Sequence, residues 1–191
     1  MQHWQAGLKV LRYLKGTAHQ AITFRPNPGK DMEMFAYTDS DWAGCQDTRR
    51  SHSGGVIFLA GGPVSWLSKK QPSVTMSSAE AEYAACQFVC RDVIYVKGML
   101  NELGVHLRTR SHVTIYTDST ACMAIAANPI INRKTKHIEM YYHFIKERVI
   151  EFKDIVLEYV NTDLNVADLF TKALCESKFT AFVYSLFNHR L

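Results

Sequence analysis

Four acidic residues stand where elements of the chain should begin or end. Asp39 closes a strand in Tyr37-Thr38-Asp39-Ser40, and Asp118 closes another in the repeated phrase Tyr116-Thr117-Asp118-Ser119. Glu82 lies one turn into a long helix, and Asp168 opens a C-terminal one. A single strand-end Asp is an ordinary turn or cap residue. Four acids on the edges of one crevice are a different matter, because closely set carboxylates cannot all stay ionised unless a cation joins them. With no soft ligand among them they suit hard, oxygen-seeking ions, Mg²⁺ or Mn²⁺. Two such ions roughly 3.5–4 Å apart would serve phosphodiester cleavage.

The elements that must position these acids can be read from periodicity and punctuation. Trp4, Leu8 and Leu11 mark an amphipathic helix over 4–15 that Gly16 ends, and the turn-rich stretch from Arg25 to Lys30 separates it from the rest of the chain. Short β-branched and aromatic runs at 34–38, 56–59 and 64–67, bounded by Gly54-Gly55, Gly61-Gly62-Pro63 and Gln71-Pro72, predict an antiparallel meander. Ser77-Ser78 is an N-cap signature for a long helix over 79–103 that Gly104 stops. A strand at 113–117, helices at 120–127 and 136–152, a strand at 155–160 and a helical stretch over 166–187 with a break near Cys175 complete the order βββαβααβα. If the first and fourth strands are parallel neighbours, Asp39 and Asp118 lie side by side where ligands bind in open α/β sheets.

The chain has 191 residues, 47% hydrophobic and 21% charged, a composition that excludes disorder and allows one sizeable core. No apolar run reaches the length of a membrane span, and the N-terminus lacks a signal-peptide layout, so a soluble intracellular, cytoplasmic protein is expected, with no membrane partner. Five cysteines without a CxxC pair read as reduced thiols, Cys86 and Cys90 as small buried apolar residues. The net charge of +4 permits a polyanionic partner. No GxGxxG or P-loop occurs, so no nucleotide cofactor is expected. His137 and His143, six residues apart on a helix, cannot share a zinc ion.

The phrases YTDSDWAG (37–44), TRRSHSGGVIFLAGGPVSWLSKKQ (48–71), SSAEAEY (77–83), YTDST (116–120), TKHIEMYYHFIKE (135–147) and NVADLFTK (165–172) together resemble the ribonuclease H domain of copia-type LTR retrotransposon Pol polyproteins. The resemblance implies an α/β, ribonuclease H-like fold: a five-stranded mixed sheet of order 3-2-1-4-5 with helices on both faces. It also implies a two-metal nuclease that cuts the RNA strand of RNA:DNA hybrids, with Asp39, Glu82, Asp118 and Asp168 as catalytic and metal-binding acids. Glu80 and Glu82 are about 200° apart on a helix, so only one faces the crevice, and the second matches the family's ligand. Residues 1–30 resemble the end of the preceding reverse transcriptase segment, which would make that domain a partner. Residues 31–175 then form the ribonuclease H domain, and 176–191 a helical tail.

Arg49, Arg50, Lys69, Lys70, Lys134 and Lys136 are candidates for phosphate contact, as are the backbone amides at Ser77 and Ser78, although each basic cluster also suits a plain solvated face. Trp42 and Trp66 could abut sugars, although for Trp66, inside a strand, a core role is the stronger reading. Asp41 reads either as support for the metal ligands or as a loop acid. The cellular enzymes carry a loop His before the last acid, but residues 161–165 contain none. His137, at a helix start, is the auxiliary candidate, although a helix-start His bonded to backbone is the stronger reading. Two rival readings keep the same fold: a catalytically inactive nucleic-acid or protein-binding module, and a DNA-cutting integrase or transposase.

Overall fold

A computed structural model of the chain describes residues 2–22, 24, 32–105, 107, 112–128 and 139–188. Its elements are α1 (Gln2–Gly16), β1 (Met34–Asp41), β2 (His52–Leu59), β3 (Gly62–Lys70), α2 (Ser78–Glu102), β4 (Val113–Thr117), α3 (Thr120–Ala127), α4 (Glu139–Lys146) and β5 (Ile155–Tyr159). A π-helical turn over Glu147–Glu151 follows α4, 3₁₀ segments span Thr162–Leu164 and Val166–Phe170, and α5 (Glu176–Asn188) is the last helix. The sheet order is β3-β2-β1-β4-β5, with β1 to β3 antiparallel and β4 and β5 parallel to β1. This is the mixed sheet the family resemblance implied.

Strand alternation splits the core in two. Met34 and Ala36 of β1 join Ile57, Ile115 and Ile155 under α2, α3 and α4, which contribute Cys86, Val89, Val93, Cys122, Ala126 and Ile145. On the opposite face Tyr37, Val56 and Phe58 pack beneath Val166, Ala167 and Phe182. Helices therefore cover both faces, and α5, read from sequence as a tail, supplies Phe182 to this second cluster.

Two glycines set how closely those layers approach. Read from sequence as turn punctuation, Gly54 and Gly55 lie inside β2, which begins at His52. A methyl group at Gly54 would stand 2.6 Å from Thr171 Cγ2 and 2.9 Å from the Ala167 carbonyl, and one at Gly55 would overlap Val89 Cγ2. Successive strand residues face opposite sides, so one glycine admits the 3₁₀ segment 166–170 and the other admits α2.

Other boundaries moved for identifiable reasons. β1 runs on to Asp41 because its pairing with β2 continues to Asp41↔His52, whereas its pairing with β4 stops at Tyr37↔Tyr116. Asp39 is therefore inside β1, just past the point where the parallel pair separates. β3 extends to Lys70 as the sheet edge, and Trp66 on it is 58% exposed, so it is not the core residue a strand interior suggested. The stretch after 166 starts as 3₁₀ and becomes α-helical only from Glu176, with the expected break before it. Trp4 and Leu11 of α1 are exposed. Among the described residues no helix is long and apolar enough to cross a membrane.

Candidate metal centre

The register of β1 on β4 pairs Ala36 with Ile115 and Tyr37 with Tyr116, so two further steps along both strands set Asp39 opposite Asp118. Both stand at the same end of that parallel pair, where the strands part. Glu82 arrives from α2. Its helix starts at a capping box in which Ser77 Oγ accepts the Glu80 amide at 3.2 Å and the Glu80 carboxylate accepts the Met76 amide at 2.7 Å. Glu80 is thus occupied at the cap, while Glu82 heads the buried stripe that continues through Cys86, Val89 and Val93. One ligand oxygen from each of Asp39, Glu82 and Asp118 lies within 4.8 Å of the others.

The chemistry of this trio fits a hard cation. Glu82 Oε2 is buried without a hydrogen-bond partner, a costly arrangement for a carboxylate. Burial, then the charges of Asp39 and Asp118, push the Glu82 carboxyl up to about 8. Burial also raises Asp39 to about 6, against the lowering effects of Thr171 and Lys172. Three carboxylates converging at this distance, one of them with an unsatisfied oxygen, are a set that Mg²⁺ or Mn²⁺ would hold together and that protons or repulsion otherwise dominate.

Asp168 is placed differently. It is fully buried at the close of the second layer, but its two oxygens are held by lysines: Oδ1 lies 2.7 Å from Lys172 Nζ and Oδ2 lies 2.9 Å from Lys178 Nζ. Lys172 Nζ is also 3.6 Å from Asp39 Oδ2, and the Thr171 hydroxyl donates to that same oxygen. The fourth acid therefore borders the trio through Lys172 and Thr171.

Asn165 joins both halves of the site and was not singled out from sequence. Its Nδ2 donates to the Thr38 carbonyl at 3.0 Å, filling the gap opened where β1 and β4 separate, and lies 3.4 Å from Asp118 Oδ1. Its Oδ1 accepts the Ala167 amide at the start of the 3₁₀ segment. Thr162 Oγ1 donates to Asp118 Oδ2 at 2.7 Å. The sequence signal for Asn165 was its suitability as a cap ahead of a helix, and that for Lys172 its i+4 spacing from Asp168.

The remaining candidates are scattered around this centre. Asp41 does not join the trio: its carboxylate folds over its own turn, where a methyl group at Gly44 would overlap Asp41 Oδ2. Arg49 and Arg50 are exposed on the loop between β1 and β2, whose backbone returns through Arg49 N to Cys45 O and Cys45 N to Arg50 O. Lys70 Nζ reaches Cys45 Sγ at 3.0 Å, and Lys69 lies over the Phe88 ring of α2. Trp42 Nε1 donates to the Thr75 carbonyl at 3.3 Å and Ser51 Oγ shares a hydrogen bond with Thr75, so this basic loop is stitched to the segment leading into α2. Ser77 and Ser78 are exposed at the start of that helix, with the Ser77 hydroxyl used as its cap. Lys134, Lys136 and His137 lie outside the described residues.

A mixed sheet of this order, with acids gathered where β1 and β4 part, defines the ribonuclease H-like class of α/β folds. LC11-RNase H1, isolated from compost by a metagenomic approach, shares the fold with a TM-score of 0.53 at 17% identity, over 73% of this chain and 92% of that one. The N-terminal RNase H domain of rv2228c from Mycobacterium tuberculosis does so with a TM-score of 0.51 at 15% identity, over 81% and 98%. LC11-RNase H1 in complex with an RNA/DNA hybrid gives a TM-score of 0.50 at 15% identity, over 73% and 94%. By sequence, the chain is homologous to retrovirus-related Pol polyproteins of transposons. It is 37% identical over 178 residues to that of transposon TNT 1-94 from Nicotiana tabacum and 37% identical over 181 residues to that of transposon RE1 from Arabidopsis thaliana. These matches take in 93% and 95% of this chain but 13% and 12% of the relatives, so the chain corresponds to a small part of their length. No protein-family model matches it.

Proposed function

We propose that this domain is a metal-dependent endonuclease that cleaves the RNA strand of RNA:DNA hybrids during retrotransposon reverse transcription. The observation that carries the reading is the convergence of Asp39, Glu82 and Asp118 from two strands and a helix, with an unsatisfied Glu82 oxygen among them. These three would hold divalent metal, Mg²⁺ or Mn²⁺, and Asp168 would complete the set for a two-ion site. When bound, the ions supply an activated water and neutralise the leaving oxygen of an in-line displacement. The chain's own residues orient the ligands: Thr162 and Asn165 fix the Asp118 carboxylate, and Thr171 fixes that of Asp39. Gly54 lets the layer carrying Asp168 and Thr171 reach the strand.

Hybrid recognition falls to groups that read shape and charge. A hybrid presents 2′-hydroxyls on one strand only, and it differs from both duplex DNA and duplex RNA in its grooves. Arg49, Arg50, Lys69 and Lys70, on the loop and strand end stitched to the start of α2, are the proposed phosphate contacts, together with Lys134 and Lys136. One of the solved structures with this fold holds an RNA/DNA hybrid, which supports the substrate class. The homology to Pol polyproteins supports a reverse transcriptase domain as partner, with residues 1–30 as the end of that segment.

One observation favours a second reading. With both oxygens of Asp168 engaged by lysines, a copy that binds nucleic acid without cutting it is also compatible. A cleavage assay with hybrid, duplex DNA and single-stranded RNA in Mg²⁺ separates the two. Cutting confined to the RNA of the hybrid supports the nuclease; binding without cutting supports the module; equal cutting of duplex DNA overturns both.

A further inference from the structure

The lysines around Asp168 bear on how many ions the centre takes up, and the inference rests on the metal-binding reading above. Lys172 projects from just beyond the 3₁₀ segment so that its ammonium stands between two carboxylates, 2.7 Å from Asp168 Oδ1 and 3.6 Å from Asp39 Oδ2. Lys178, from α5, holds the other oxygen of Asp168 at 2.9 Å and also bonds the Thr162 carbonyl at 3.1 Å. The two cations therefore differ in partners: Lys172 bridges Asp39 and Asp168, and Lys178 ties Asp168 to Thr162.

A position between two such oxygens is the one a second divalent ion would need. Asp39, Glu82, Asp118 and Asp168 with Lys172 and Lys178 carry a net charge of two negative units when all are ionised, a balance that one divalent ion completes. The Lys172 side chain is partly exposed, but the two carboxylates it meets are buried, and a second ion between them would stand against the ammonium at short range, where like charges repel. We infer that Lys172 is a built-in cation that occupies the Asp39–Asp168 position, so that the free protein binds one divalent ion at Asp39, Glu82 and Asp118. A second ion enters only when Lys172 withdraws.

The test is Mn²⁺ binding to the whole chain without nucleic acid, measured by titration calorimetry and by electron paramagnetic resonance, which detects spin coupling between neighbouring ions. The parent is expected to take up one Mn²⁺ with an uncoupled spectrum. Lys172→Met should take up two and show a coupled pair, Lys172→Arg should return to one, and Lys178→Met should stay at one because the bridging position remains filled. Two ions in the parent overturn the inference without reference to any variant. A gain of the second ion in Lys178→Met but not in a folded Lys172→Met overturns the assignment to Lys172. If no protein binds any Mn²⁺, the metal-binding reading fails and the inference falls with it, an outcome distinct from two ions in the parent.

Discussion

Glu82 is the residue on which the energetics of the site turn. Its carboxyl is raised to about 8 by burial and by the neighbouring acids, and Asp39 is raised to about 6. Raised carboxyl values mean that the folded state holds protons the unfolded chain has already released. Without metal, the stability these two groups contribute should therefore be fully present below about pH 4 and be lost progressively as pH rises through about 6 and about 8, with the full cost present above that window. Holding the Glu82 carboxylate ionised in the metal-free fold costs a few kcal/mol, at about 1.4 kcal/mol for each pH unit by which the carboxyl is raised. Glu82→Gln removes the charge but keeps the shape. In EDTA at pH 8.5 it should raise the Tm by on the order of 5 °C and flatten the decline with pH, both read by thermal melts across the pH range. Mg²⁺ or Mn²⁺ should stabilise the parent and leave Glu82→Gln much less affected, because only the native trio binds the ion preferentially. A Tm in EDTA that falls in the variant would mean that Glu82 is a satisfied structural acid. Glu80→Gln serves as comparison, since its oxygen caps the Met76 amide and an amide oxygen can do the same.

Between residue and fold lie the layers that deliver the acids, and here β2 decides the geometry. Gly54→Ala would drive a methyl group into Thr171 and the Ala167 carbonyl, backbone that cannot swing aside. The 3₁₀ segment should lift, costing about 1–3 kcal/mol in chemical denaturation and weakening the metal response, because Thr171 then loses Asp39. Gly98, on α2, has no atom within 4 Å of where a methyl group would sit, and gives the opposite sign: Gly98→Ala should stabilise by roughly 0.5–1 kcal/mol through helix propensity. The contrast shows which features a linear sequence reveals. β4 and α3 stand at the residues their patterns indicated, and the Ser77 cap stands where its signature fell, since these depend on local periodicity and hydrogen bonding. Gly54-Gly55 was misread because a glycine chosen for close approach and one chosen for a turn look the same in one dimension. Asp39, Glu82 and Asp118 were legible as strand-end and helix-start acids. The pairing of Asp168 with Lys178 was not, because it depends on how α5 returns across the sheet, and Asn165 showed only its local capping role.

For the molecule as a whole, charge is divided between a compact acidic centre and basic residues on the loop and edge that flank the start of α2. That division suits a polyanion laid across the surface with one phosphodiester at the acids. If Lys69 and Lys70 contact phosphates, replacing both by Ala should weaken hybrid binding. The slope of log K against log salt should fall by about one for each phosphate released, measured by fluorescence anisotropy over a salt series. An unchanged slope would place the pair off the binding face. The central claim is that Asp39, Glu82 and Asp118 form a metal-dependent centre for cutting RNA paired to DNA. Its most direct test is single-turnover cleavage of a hybrid carrying separate labels on each strand, with Mg²⁺, by the parent, Asp118→Asn and Glu80→Gln. The expected result is cleavage of the RNA label alone by the parent and by Glu80→Gln, with no cleavage in EDTA. Asp118→Asn should lose roughly 100-fold or more, the order expected when a positioned charge is removed from a reacting centre. Retained activity in Asp118→Asn, or a Glu80→Gln protein that is the inactive one, would contradict it.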